Sequence, residues 1–217
     1  MDFVQARKNM VASQVRTNDV TDLRLQAALE NAPREQFLPV DLKHLAYVER
    51  EIEYAKDRRL LTPRDFAKLL AAADVRPGDL VLDVACGSGY STAVLAQLAE
   101  MVVGLEPDEA LAQTAQANLN ALGLTNAAVI VGDPAAGAAK QGPFDLIFLG
   151  APIEVEPVRL LEQLKEGGRL ASIIRLGGVF RGAVYRRSGS AIAPVPSFDA
   201  SARHVLPAFA APKVFKF

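Results

Sequence analysis

Apolar and polar positions divide this chain into alternating strand and helix signals. Leu80 to Ala85 is a short run rich in Val and Leu without polar alternation, the pattern of a parallel strand covered on both faces. Similar runs recur at Met101-Val102-Val103-Gly104-Leu105, Ala127 to Val131, Phe144 to Leu149 and Leu170 to Ile174. Between them the spacing turns helical, from Tyr90 with Val94, Leu95 and Leu98 on one side, and from Asp108 to Leu122, closed by Gly123. Strand and helix in alternation predict an α/β, doubly wound, mostly parallel Rossmann-like sheet.

Upstream, Phe3, Met10, Val11 and Val15 fall at helical spacing, and a second helix is expected from near Thr21 to before Pro33. Pro33 to Pro39 is a proline-bounded connector, Asp41 to Ile52 reads as a helix and then a loop, and Thr62-Pro63-Arg64-Asp65 opens a helix over Phe66 to Ala73. The chain thus divides into an N-terminal helical extension with a substrate-side loop, 1–61, and an α/β domain, 62–217. Downstream, Glu154 and Glu156 suit the start of a helix, and Val179 to Arg187 reads as a hairpin arm between Gly177-Gly178 and Ser188-Gly189. Residues 194–212 are rich in Pro, Ala and Ser, with Phe198, Leu206 and Phe209 as anchors, and Val214 to Phe217 alternate as a packed strand would.

Composition narrows the functional classes. Half of the 217 residues are hydrophobic, enough for a large core. The 24 basic and 25 acidic residues are spread out, leaving net charge −1 and no basic block for a nucleic acid. The sole cysteine, Cys86, excludes an intrachain disulfide, and His44 and His204 lie far apart, a poor supply for a metal. The N-terminus lacks the order of a signal peptide and no apolar run is long enough for a membrane span, so a cytoplasmic protein is expected.

The candidate chemistry centres on Asp83-Val84-Ala85-Cys86-Gly87-Ser88-Gly89-Tyr90. Gly87 and Gly89 let the backbone turn sharply after a strand and lie close to a ligand, with helix N–H groups expected to face it. A dinucleotide fingerprint needs a third glycine, where this chain has Thr92. The form D-x-x-x-G-x-G (Asp83, Gly87, Gly89) instead resembles motif I of class I S-adenosylmethionine-dependent methyltransferases. That resemblance implies their seven-stranded sheet. It also implies cofactor contacts at Asp83, Ala85, Cys86, Gly87, Ser88, Gly89 and Tyr90, and at Glu106 and Pro107 after the second strand, where a carboxylate can accept both ribose hydroxyls. Gly132 and Asp133 would lie at the adenine and Gly150 beside the methyl-transfer pocket, where Gly150-Ala151-Pro152 offers only backbone and small side chains.

A Pro-Arg-Glu-x-Phe connector, a loop ending in Pro63 and the Gly-Ser-Gly-Tyr turn together resemble the protein-L-isoaspartate O-methyltransferases. In that family the loop reads about Gly-Gln-x-Ile-Ser-x-Pro, its serine beside the reactive methyl. Aligned on Pro63, this chain has Leu61 at the serine and Arg58 at the glutamine, and motif I has Ala85 for a glycine and Cys86 for a threonine. Thr62 supplies the nearest hydroxyl, yet it also reads as the N-cap of the following helix, with Asp65 completing a capping box.

The resemblance implies transfer of methyl from S-adenosylmethionine, leaving S-adenosylhomocysteine, to a carboxylate of altered aspartyl residues in peptides or proteins. A carboxylate is ionised at neutral pH and needs positioning rather than a base. Arg58 or Arg59, turned inward, could orient it. Leu61 keeps open a methyltransferase with another acceptor, and a protein that binds the cofactor without turnover is a further alternative. An NAD-dependent oxidoreductase is disfavoured by Thr92.

Overall fold

The computed structural model describes residues 2–189 and 191–212. Helix α1 (Phe3–Met10) runs on through wider turns over Val11–Val15, and α2 (Leu23–Asn31) follows. Short 3-10 turns at Arg34–Phe37 and Val40–Leu45 take the place of the helix expected after Asp41, because Pro33 and Pro39 each interrupt the backbone ladder. Strands β1 (Ile52–Ala55) and β2 (Arg58–Leu60) then pair as an antiparallel hairpin, where the sequence suggested only a loop. Its tip turns at Asp57, whose φ is 56°.

Helix α3 (Pro63–Ala73) leads into a seven-stranded sheet of β3 (Leu80–Val84), β4 (Met101–Glu106), β5 (Ala127–Val131), β6 (Phe144–Ile153), β7 (Leu164–Leu176), β8 (Val179–Ser188) and β9 (Ala191–Asp199). The order is β5-β4-β3-β6-β7-β8-β9; the first five strands are parallel, β8 runs opposite to them and β9 pairs antiparallel with β8. From β3 the chain winds outward to β5, then crosses back to lay β6 on the other side of β3. The carboxyl ends of β3 and β6 therefore flank the switch-point crevice, where sheets of this kind hold ligands.

Period-two alternation divides the strands between two layers. Val81, Leu146 and Phe148 pack with α1 to α3, the later helix α4 (Tyr90–Leu95) and the N-terminal turns, while Leu82, Val84, Ile147 and Leu149 face a second core closed by α6 (Val158–Leu161), Leu206 and Phe209. Helices α4 (Tyr90–Leu95) and α5 (Glu109–Ala121) complete the fold.

Several local expectations are corrected. The fifth strand of the parallel set extends well beyond Leu170–Ile174 in both directions, since β8 pairs along it from Arg169 to Leu176. The proline-rich tail begins as β9, whose Pro194 and Pro196 are tolerated because only one edge of that strand is paired. Glu154 starts no helix: it closes β6 by pairing with Arg175 at 2.6 Å and accepting from the Ala211 amide. Asp65 does not reach back to complete a capping box, being held by Ser201 and Ala202. The strand expected at Val214 to Phe217 lies outside the described residues.

Candidate functional site

The glycine turn joins β3 to α4 at the switch point. Ala85, Gly87 and Gly89 all take positive φ, at 57°, 58° and 92°. Gly89 is needed for packing as well as conformation, because a Cβ there would stand 3.2 Å from that of Ala115 on α5. Asp83, fully buried, accepts 2.6 Å bonds from the hydroxyls of Ser91 and Thr92, tying strand to helix. Thr92 thus occupies the third-glycine position with a hydroxyl tie. Burial pushes the Asp83 carboxyl up to about 7, against those two hydrogen bonds. Burial likewise raises the Cys86 thiol well above its ordinary value, leaving it a neutral packing group.

The backbone N–H groups of the turn are not free, contrary to the sequence expectation. Cys86 N donates to Leu105, Gly87 N to Glu106, Ser88 N to Tyr54 Oη and Gly89 N to the Cys86 carbonyl. Helix α4 has only six residues, so its dipole adds little. Asn118 donates at 2.9 Å to the Ser88 carbonyl and braces the turn from α5.

Glu106 ends β4 with its side chain wholly buried. Four protein groups converge on it. Arg58 donates from Nε (2.9 Å to Oε2) and Nη2 (2.7 Å to Oε1), and the amides of Gly87 and Asp108 donate at 2.9 and 3.1 Å. Arg58 is therefore turned inward with its guanidinium on Glu106, while Arg59 pairs with Glu53, and both also line the cavity under the turn. Asp133 is exposed and accepts from the Ala135 amide in a local turn, and Gly132 N bonds the Glu106 carbonyl. Pro107 leads to Asp108, which caps α5.

A narrow cavity, about 540 Å³ when the solvent at its mouth is included, lies under the turn. Asp83, Ala85, Cys86, Tyr90, Gly150 and Leu61 line it, whereas Glu106 and Asp133 do not. Leu61 is buried, and its carbonyl accepts from Arg34 of the Pro-Arg-Glu connector. Arg34 also bonds the Ala46 carbonyl at 2.7 Å and stacks over the Tyr90 ring, whose centroid is 4.9 Å away. Sequence reading saw the connector but not this role, which a buried arginine declares only in three dimensions. Thr62 turns away from the cavity: its hydroxyl accepts from the Asp65 amide at 3.1 Å as the N-cap of α3. Beside Gly150 and Leu61 a smaller cavity is lined by Glu51, Asp57 and His204, so the strand end is not bounded by backbone alone. His204 Nε2 lies 3.6 Å from Asp57.

The profile of the protein-L-isoaspartate(D-aspartate) O-methyltransferase family matches residues 5–189. The chain belongs to that family. Among proteins named protein-L-isoaspartate O-methyltransferase, one from Koribacter versatilis is 36% identical over 77% of this chain and 76% of its own. Another, numbered 1, from Rhodopseudomonas palustris, is 38% identical over 77% and 69%. A solved protein-L-isoaspartate O-methyltransferase superposes with a TM-score of 0.79 at 22% identity, over 94% of this chain and 67% of its own. A beta-aspartate methyltransferase from Plasmodium falciparum, solved with S-adenosyl-L-homocysteine, gives 0.77 at 20% identity over 93% and 98%. At those identities the structures speak for the family's fold, a seven-stranded methyltransferase sheet.

The carboxyl end of the sheet carries groups that suit the adenosyl cofactor of methyltransferases. Glu106 is a buried acceptor beside a glycine turn at positive φ, and Arg58 and Tyr54 hold these two features in this structure. Among the described residues no cluster of three metal-ligating side chains occurs, and no helix is long and apolar enough to cross a membrane.

Proposed function

We propose that this chain is an S-adenosylmethionine-dependent protein carboxyl O-methyltransferase acting on altered aspartyl carboxylates in peptides or proteins. The observation that carries the reading is the buried carboxylate of Glu106 beside the glycine turn at the switch point, in a chain matching the family over residues 5–189. When bound, the cofactor supplies a methyl group made electrophilic by a neighbouring cationic sulfur. Glu106 would hold the ribose hydroxyls, Gly87 and Gly89 the amino-acid end, and Gly132 and Asp133 the adenine.

The protein's own contribution is placement and exclusion of water. Leu61, Phe66, Phe148 and Leu206 give the cavity an apolar lining. A carboxylate held there loses hydration and needs no proton removed. Arg34 fixes the loop by holding the Leu61 carbonyl, and Tyr90, between Phe37 and Phe66, fixes the start of α4.

Leu61 favours a second reading, in which the cofactor site is kept and the acceptor differs. Incubation with labelled S-adenosylmethionine and an isoaspartyl peptide separates the two. Label on the peptide is the expected result. Label only on another acceptor supports the second reading, and cofactor binding without transfer to any acceptor overturns both.

A further inference from the structure

The residues assigned above to the cofactor are already in use by the chain itself. Both oxygens of Glu106 face protein donors, and Arg58 supplies three of the five contacts, at 2.7, 2.9 and 3.2 Å. A pair of ribose hydroxyls could donate to Glu106 only where the guanidinium now lies. Tyr54, on the same strand as the core residue Ile52, presses on the glycine turn. Its Oη accepts from the Ser88 amide at 3.2 Å and stands 1.8 Å from where a Cβ on Gly87 would be. Gly87 therefore accommodates the hairpin as closely as it would a ligand.

From these contacts we infer that the β1–β2 hairpin is a built-in competitor for the cofactor. Arg58 and Tyr54 occupy the contacts of the ribose and of the glycine turn, and binding requires their displacement. This rests on the cofactor site proposed above.

The hairpin is constructed so that it can leave. It has strands of four and three residues, forms its own sheet and is not joined to the seven-stranded one. Two strands alone are marginally stable in water. Ile52 and Leu60 anchor its open end in the core, and the Arg58–Glu106 pair, which the sequence resemblance places where the family has a neutral glutamine, holds its tip against the site. The apparent affinity for cofactor is then the intrinsic affinity reduced by the fraction of open molecules.

The test is calorimetric titration of S-adenosylhomocysteine into the wild-type chain, R58Q and Y54F, with hydrogen exchange of residues 52–60 in the wild type. R58Q is expected to bind about tenfold tighter or more, and Y54F tighter by a smaller factor. Saturating wild type with S-adenosylhomocysteine should speed exchange at 52–60. Equal or weaker binding by R58Q, or exchange at 52–60 that stays the same or slows on saturation, overturns the competitor while leaving the methyltransferase reading in place. If R58Q does not fold, Y54F and the wild-type exchange decide in the same way. If no variant binds at millimolar ligand, the cofactor site falls, and the competitor with it.

Discussion

Asp65, on the first turn of α3, accepts 2.7 Å hydrogen bonds from both the amide and the hydroxyl of Ser201, 136 residues further along the chain. The Ala202 amide adds a third bond at 3.1 Å, and Arg64 pairs with the other oxygen. This wholly buried carboxylate draws the segment after β9 across α3, so that His204 and Leu206 arrive at the cavities beside Leu61. Replacing Asp65 by Ala leaves those buried donors unmatched and should cost about 2–4 kcal/mol. Urea unfolding measures the loss; a change below 1 kcal/mol would show that the clamp is ornamental.

Ala85 sits at φ 57°, a left-handed conformation that penalises a Cβ by about 1–2 kcal/mol. Glycine relieves that strain, offset in part by its greater freedom in the unfolded chain, so Ala85→Gly should stabilise by about 1 kcal/mol. The readout is the melting temperature, and a decrease contradicts the assignment of strain.

Asp83 makes stability depend on pH. Its carboxyl is raised to about 7 by burial, so near neutrality the folded chain keeps a proton that the unfolded chain releases at about 4. Stability from this group is thus greatest below about pH 4 and declines as pH rises towards 7, by at most about 1.4 kcal/mol per unit, then levels off. Asp83→Asn, which keeps an acceptor for Ser91 and Thr92, should flatten that slope. Unfolding free energies between pH 5 and 8 for both proteins would reveal it, and parallel curves would refute the shift.

Removing one member of the Arg58–Glu106 pair leaves the other buried without its partner. Glu106→Ala should destabilise by about 3–5 kcal/mol, and adding R58Q should recover part of that loss. A double-mutant cycle gives the coupling, expected at about 1–3 kcal/mol. Additive effects would mean that the pair contributes nothing as a pair.

Leu61→Ser trades apolar burial for a hydroxyl facing the cavity. It should cost about 2–3 kcal/mol in stability, while the Arg34 bond to the residue 61 carbonyl keeps the loop in place. Methylation of an isoaspartyl peptide should rise in this variant; unchanged transfer would show that the acceptor is positioned by other residues.

The strands were legible in the sequence because burial on both faces demands unbroken apolar runs, as in β3, β4 and β6, and even the half-exposed edge strand β5 keeps such a run. The cap Thr62 was legible too, since a cap acts on amides two or three residues away. The glycine turn and Glu106 could be placed at successive strand ends by order alone. What no local pattern could decide was where long polar side chains end up. Arg58 might have stayed in solvent, but its stem spans from a hairpin to a strand end 48 residues away. Arg34 crosses to Leu61, Asn118 to the glycine turn and Asp65 to Ser201 by the same logic. Backbone periodicity is a property of neighbours and is written in the chain; the partner of a buried charge is chosen only when packing removes water and leaves a single donor or acceptor within reach.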